Sequence, residues 1–213
     1  MNDFFYDYLD ELIPEPVCEL NYQQDYELLL AVMLSAQTTD KRVNSVTEIL
    51  FSKYPDLTKL STASKEDIMA IIRPIGTYSK KAGNVIAIAK SLLEHGGVVP
   101  ADREYLESLP GVGRKTANVV LSNLFNVPCI AVDTHVSRVA KRLGIAREND
   151  DVLVIEKKLT KKIPPARLNK MHHQILLFGR YYCKARNPEC GTCKLRDQCR
   201  YYQKMRPKSK TSP

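Results

Sequence analysis

The sequence predicts an all-α fold. Apolar residues recur at helical spacing through nearly every segment from Asp25 to Tyr182. Helix starts and stops punctuate those segments, with Ser64 at one beginning and Gly96-Gly97 and Pro164-Pro165 at two ends. Strand signals are scarce; the best, "PCIAV" (128–132), is short. With 213 residues, the chain suits one large domain or two small ones and can bury a real core.

The helices follow in order. "DYELLLAVMLSAQ" (25–37) carries apolar residues at helical intervals, with Asp25 placed as an N-cap. "DKRVNSVTEILFSKY" (40–54) repeats the pattern, and Pro55 stops it. "SKEDIMAIIR" (64–73) opens on Ser64 followed by Asp67, a weak capping-box signal. "SKKAGNVIAIAKSLLEHGG" (79–97) ends at its glycine pair. A short helix at 101–109 follows Pro100, and two more cover 114–126 and 134–143, the second followed by Gly144. A charged helix around 150–162 runs up to the proline pair, and 168–182 forms the last long helix.

The charge is unevenly placed. The net formal charge is +8, and from Arg180 to Pro213 ten Lys or Arg face only two acids, so this end carries the whole excess. Such a surface points to a polyanion, above all nucleic acid; a solvated basic tail is the plainer alternative. No apolar run approaches the roughly 18–20 residues that span a bilayer. The opening "MNDFFYDYLDELIPEP" lacks the basic and apolar regions of a secretory signal. The expectation is a cytoplasmic protein with no membrane partner. Of six cysteines, four fall in "CKARNPECGTCKLRDQC" as C-x6-C-x2-C-x5-C: Cys183, Cys190, Cys193 and Cys199. Without an export signal, such clustering favours metal over disulfides. Four thiolates suit tetrahedral zinc or a [4Fe-4S] cluster, and the spacing alone leaves both open.

"LPGVGRKTANVVL" (109–121) has the look of a phosphate-cradling loop. It is not a nucleotide P-loop, which needs glycine directly before the lysine, where this chain has Arg114. The stretch reads as helix, turn, helix. Leu106 and Leu109 face inward from the first helix and Val119, Val120 and Leu121 from the second. Gly111 and Gly113 are expected to permit positive φ and to let the backbone approach a ligand. Amides at the second helix's N-terminus would then hold a single phosphate, a contact that positions DNA without reading its bases. Lys115 stands just beyond the turn. A neutral lysine can act as a nucleophile and form Schiff bases. On local chemistry alone, a simple phosphate contact is the plainer reading. Eighteen residues on, Asp133 in "AVDTHVSRVAKRLG" directly precedes a helix and is a natural N-cap, and Arg138, Lys141 and Arg142 give that helix a basic side.

The turn resembles the helix–hairpin–helix of DNA repair proteins, whose hallmark is L-P-G-V-G. Together with "VDTHVSRV", "ELLLAVMLSAQTTD", "GGVVPADREYLESLPGVG" and "HHQILLFGRYYC", it makes about residues 20–202 similar to the endonuclease III family. These are bifunctional DNA glycosylases and abasic-site lyases of the helix–hairpin–helix glycosylase superfamily. The resemblance implies a two-lobed all-α fold with a C-terminal [4Fe-4S] cluster loop. One six-helix lobe would cover 18–128, with its helix–hairpin–helix at about 101–122. Residues 1–17 plus 129–213 would form the cluster lobe with its basic tail. Lys115 and Asp133 would face each other from different lobes.

The resemblance also implies roles. Lys115 attacks C1′ of the damaged nucleotide and forms a Schiff base, and β-elimination nicks the strand. Asp133 activates the lysine or stabilises the oxocarbenium-like transition state. Gly111 and Gly113, with Arg114, hold the DNA backbone, in some relatives through a bound monovalent cation. Gln37 fills the gap left by the flipped base. Cys183, Cys190, Cys193 and Cys199 hold the [4Fe-4S] cluster, and Lys184 and Arg186 of its loop approach the DNA backbone. His135 is a further DNA contact near the lesion. Tyr181 and Tyr182 pack around the cluster. The implied partner is damaged double-stranded DNA carrying oxidised pyrimidines, bound by a monomer. One departure stands out: where the family usually reads G-L-Y, this chain has Gly76-Thr77-Tyr78, so the residue that wedges into the duplex is smaller and polar. A monofunctional relative would generally lack the lysine. A non-catalytic DNA-binding protein would leave the lysine–aspartate pair without a purpose.

Overall fold

Twelve α-helices supply nearly all the regular structure of the computed structural model, which describes residues 3–205; no strand forms among them. The chain divides into two compact units, one running from Cys18 to Val127 and the other built from the segments before and after it.

The Cys18–Val127 unit holds seven helices, not six. Helix α2 (Asp25–Leu34) is buried at every position from Glu27 to Leu34. An all-round apolar helix belongs in a core, and α2 packs against α3 (Asp40–Lys53), α6 (Tyr78–Glu94) and α8 (Arg114–Phe125). Its N-cap is Gln24, not Asp25. Glu27 turns back to the helix start, where its Oε2 accepts from Gln23 N at 2.6 Å and Gln24 N at 3.2 Å. The helix stops at Leu34, three residues before the expected end, and the chain turns through Gln37 at φ 59°. The additional helix, α4 (Leu57–Thr62), spans only six residues. It rests on an Asp56 cap that accepts from Lys59 N at 2.7 Å, and on Leu57 and Leu60, which bury against α6. Helix α5 (Lys65–Ile71) has the expected Ser64 cap, accepting from Asp67 N at 3.1 Å. The hairpin pair is α7 (Arg103–Ser108), capped by Asp102, and α8.

The second unit opens with α1 (Asp3–Leu12), a helix beyond those expected from the sequence. Phe5, Tyr8 and Leu9 bury into one core with residues of α9 (Thr134–Arg142), α10 (Val152–Lys162) and α11 (Leu168–Leu177). Gln174 Nε2 fastens α1, donating to Leu9 O at 3.1 Å, Asp10 Oδ1 at 2.9 Å and Ile13 O at 3.0 Å. This network explains how a distant N-terminal segment joins the C-terminal unit. The expected strand at 128–132 takes no regular secondary structure. Its residues from Cys129 to Val132 are buried, Ile130 and Val132 within the helical core, and no neighbouring strand among the described residues offers them a ladder. Helix α11 widens into a π-helical turn at Phe178–Tyr182, and α12 (Arg200–Met205) ends the described chain. The basic tail beyond Met205 lies outside the described residues.

Candidate active site and cluster loop

The hairpin grows from its apolar residues. Leu106, Leu109, Val112, Ala117 and Val120 are buried and pin α7 to α8 around a turn closed by Val112 N donating to Leu109 O at 3.1 Å. Asn118, almost wholly buried, accepts from the Arg103 guanidinium and so ties the two helices through a polar bond. The two glycines differ. Gly111 has φ 82°, and a Cβ there would lie 2.4 Å from Asn84 Nδ2 and 3.4 Å from Met33 Cγ. Gly113, contrary to expectation, sits at φ −104° and ψ 179°, extended backbone that any residue can adopt. A Cβ on Gly113 would meet nothing of this chain within 4 Å. The N-terminus of α8 has no capping side chain. Its first-turn amides therefore point outward at the positive end of the helix dipole. Gly113, Arg114 and Lys115 are all exposed there.

Gln37 and Thr77 belong to the same unit and share an unusual backbone. Both are exposed and left-handed, with φ 59° and 57°. For a β-branched residue such as threonine this conformation is a genuine outlier, held in part by Thr77 Oγ1 donating to Gly76 O at 2.6 Å. Strain of this kind clusters at functional positions.

Asp133 belongs to the second unit. It caps α9 as expected, Oδ1 accepting from Val136 N at 2.7 Å. His135 follows, its Nδ1 3.2 Å from Arg138 Nη2. The arginines of α9 depart from the expected basic side. Arg138 and Arg142 do not form an outer face; they turn onto the cysteine loop. Arg142 Nη1 donates to Cys183 O at 3.2 Å, Cys183 Sγ at 3.3 Å and Lys184 O at 2.7 Å, and Nη2 donates to Ala185 O at 3.1 Å. Its guanidinium also lies 4.1 Å from the Tyr201 ring centroid. Arg138 Nε donates to the same Cys183 carbonyl at 3.1 Å. No local signal marks these two arginines as loop-holders, because their partners lie more than forty residues away.

Cys183, Cys190, Cys193 and Cys199 line one cavity with Tyr8, Phe178, Tyr182, Tyr201 and Tyr202. Tyr182 is where it was expected, whereas Tyr181 is exposed and takes no part in this lining. Tyr8 carries no sequence signal for this role; burial pushes its hydroxyl up to about 12, with the neighbouring Cys193 adding to the rise. Burial also raises the thiols of Cys190 and Cys193, and the thiol charges of Cys183 and Cys199 add to this. Four soft sulfurs in a largely apolar, aromatic-walled cavity need a cation to carry them as thiolates. Among the described residues no three His, Cys, Asp or Glu are grouped closely enough for a single metal ion. A cluster that takes one cysteine per iron fits four sulfurs spread around a shared cavity. Lys184 pairs at 2.8 Å with Glu189, which also lines the cavity, and Arg186 is exposed.

Known proteins match both parts. The HhH-GPD superfamily base excision DNA repair protein model matches residues 30–165, and the iron-sulfur binding domain of endonuclease III matches 183–199. An endonuclease III of Bacillus subtilis (strain 168) is 48% identical over 203 residues, covering 95% of this chain and 93% of its own. The chain belongs to the endonuclease III family. An endonuclease III of Escherichia coli (strain K12) is 46% identical over 198 residues, with 92% and 93% covered. A solved structure described as a trapped endonuclease III–DNA covalent intermediate, an estranged-adenine complex, superimposes with a TM-score of 0.91 at 47% identity, covering 94% of this chain and 95% of that one. As in the endonuclease III family, the cofactor is a [4Fe-4S] cluster, and the four cysteines above are the residues that fit it. The all-helical fold agrees with the endonuclease III fold. No helix of the described residues is long and apolar enough to cross a membrane.

Proposed function

We infer that this chain is a bifunctional DNA glycosylase and abasic-site lyase of base-excision repair. It removes oxidised pyrimidines from damaged duplex DNA and nicks the strand 3′ to the lesion. The observation that carries the reading is the place of Lys115. It stands exposed in the first turn of α8, beside an uncapped helix N-terminus and a glycine whose lack of a side chain nothing in its own chain requires. Backbone amides of that turn, with Gly111, Gly113 and Arg114, would hold a phosphate and bring the sugar to the lysine.

The chemistry then balances. The Lys115 amine forms a bond to C1′ as the C1′–base bond breaks and the base leaves with the electron pair. One amine proton goes to the departing base; the C1′–O4′ bond then breaks as O4′ takes up a proton, leaving a protonated Schiff base between Nζ and C1′. The imine acidifies the proton on C2′; its removal expels the 3′ phosphate, and water releases the lysine. Asp133, fixed as the α9 cap, would accept a proton or stabilise positive charge on the sugar. Gln37 and Thr77 would enter the duplex as the nucleotide leaves it. Arg186, with Lys184 and His135, would contact DNA beside the lesion. The [4Fe-4S] cluster would serve structurally, shaping the 184–189 loop through Cys183 and Cys190. On this reading the enzyme works as a monomer in the cytoplasm, on nucleoid DNA.

A thymine-glycol duplex tests the assignment. The native enzyme should release the base and leave the unsaturated sugar end of β-elimination. Lys115→Gln should lose at least about 10⁴-fold in both, on the scale seen when a covalent nucleophile is removed. Base release by Lys115→Gln near the native rate would remove lysine from the first step.

A further inference from the structure

One buried cation has no place in the chemistry above. Lys81 lies on α6 with only 5% of its surface exposed. Its Nζ donates to Leu34 O at 2.9 Å and Ala36 O at 2.7 Å. Those carbonyls are the last residue of α2 and the residue directly before Gln37. Its own amide donates to Thr77 O at 3.1 Å. One residue thus holds the backbone at Thr77 with its N–H and the backbone next to Gln37 with its ammonium.

Burial of an ammonium is costly, and here it lowers the Lys81 pKa. Two carbonyls offset that cost, one at the C-terminal end of α2 where the helix dipole favours a cation. Helix packing does not need the charge. Ala82, Val85 and Ile88 of α6 are fully buried, and α6 contacts α2, α4 and α5. The second bond goes to Ala36, beyond the helix end. It fixes the turn in which Gln37 takes up its left-handed conformation.

We propose that Lys81 is a positioning residue for lesion opening, setting Gln37 and Thr77 at a fixed separation so that their side chains enter the duplex together. This rests on the reading of Gln37 and Thr77 as the duplex-inserting pair. It matters more in this chain than with a leucine at the wedge, because a small polar threonine contributes less by bulk and depends more on where it is held.

The test compares two substrates on one preparation. A thymine-glycol duplex requires a paired base to be extruded; an abasic duplex has no base to extrude. The ratio of the two single-turnover rates is independent of how much of a preparation is folded. Lys81→Met keeps the stem and removes the charge and donors. It should lower the thymine-glycol to abasic ratio by about 10- to 100-fold, the cost of mispositioning by a fraction of an ångström to an ångström. Gln37→Ala should lower the ratio as well, and adding Lys81→Met to it should lower it little further, since the two act through one step. If Gln37→Ala lowers the ratio but Lys81→Met reduces both rates equally, Lys81 is only structural and the proposal is overturned. If Gln37→Ala leaves the ratio untouched, the insertion reading itself fails and the proposal falls with it. Should Lys81→Met yield too little folded protein, Lys81→Gln takes its place: a lowered ratio supports the positioning role, and an equal loss of both rates overturns it.

Discussion

Gly111 and Gly113 stand two residues apart and are glycine for different reasons. Gly111 needs a positive φ, and a side chain there would strike Asn84. Gly113 has ordinary backbone angles and open space. Gly111→Ala should therefore destabilise the protein by about 1–3 kcal/mol through backbone strain. Gly113→Ala should change stability by less than about 1 kcal/mol, in the stabilising direction if at all, yet weaken duplex binding because its Cβ points where a phosphate would come. Denaturant unfolding and duplex titration of the two variants separate these outcomes; a Gly113→Ala protein with native duplex affinity would contradict the second. Both glycines were legible in the sequence, but their difference was not, because it depends on Asn84 and on the turn's actual dihedrals. Asp10 is a second residue whose role only packing reveals. Hydrogen bonds from Lys170 at 2.6 Å and Gln174 at 2.9 Å hold its pKa below the usual carboxylate range, against a smaller opposing effect of burial. A depressed folded pKa means stabilisation that is complete above the unfolded value of about 3.9 and is lost as pH falls through the folded one. The stability gap between the native chain and Asp10→Asn should be constant near neutrality and close in acid below about pH 4. A gap that stays constant into that acid range would contradict it.

At the scale of elements, long periodic helices could be read directly and short ones only in part: α7 was read and α4 was not. The caps at Ser64 and Asp133 were visible because capping is local chemistry. Helix α4 was missed because its six residues, unlike the equally short α7 set between Pro100 and Pro110, have no second breaker to mark them off. The segment at 128–132 looked like a strand because apolar, β-branched residues suit a strand, yet they also suit an irregular segment buried in a helical core, as here. Helix α9 was the most misleading, for Arg138, Lys141 and Arg142 read as a basic side. Arg142 instead places four hydrogen bonds on the backbone and sulfur around Cys183. Arg142→Ala should loosen that segment and weaken retention of the cluster by about 10- to 100-fold, the usual loss when partners of metal ligands are removed. Iron content and the cluster's visible absorbance during chelator challenge would measure it. Loss of iron at the native rate would show that the cysteine loop holds itself without α9.

Across the whole molecule, the charge excess is less free than composition suggests. Lys194 pairs with Glu11 at 2.6 Å and Lys184 with Glu189 at 2.8 Å, so part of the basic end is spent within its own unit. Arg186 and the turn at 113–115 remain exposed for a polyanion. The motifs carried most of the functional reading, since the hairpin, the lysine and the four cysteines are each short and local. The construction of the second unit from both ends of the chain was implied only by the family resemblance; the contacts behind it, from Gln174 and the buried aromatic face of α1, carry no signal in the sequence. The central claim is that Lys115 forms a covalent bond to the sugar. Incubating the protein with a thymine-glycol or abasic duplex under borohydride tests it most directly. A reduced, stable protein–DNA adduct should form with the native chain and be absent with Lys115→Ala. No adduct with either duplex, or an undiminished adduct with Lys115→Ala, would contradict the account.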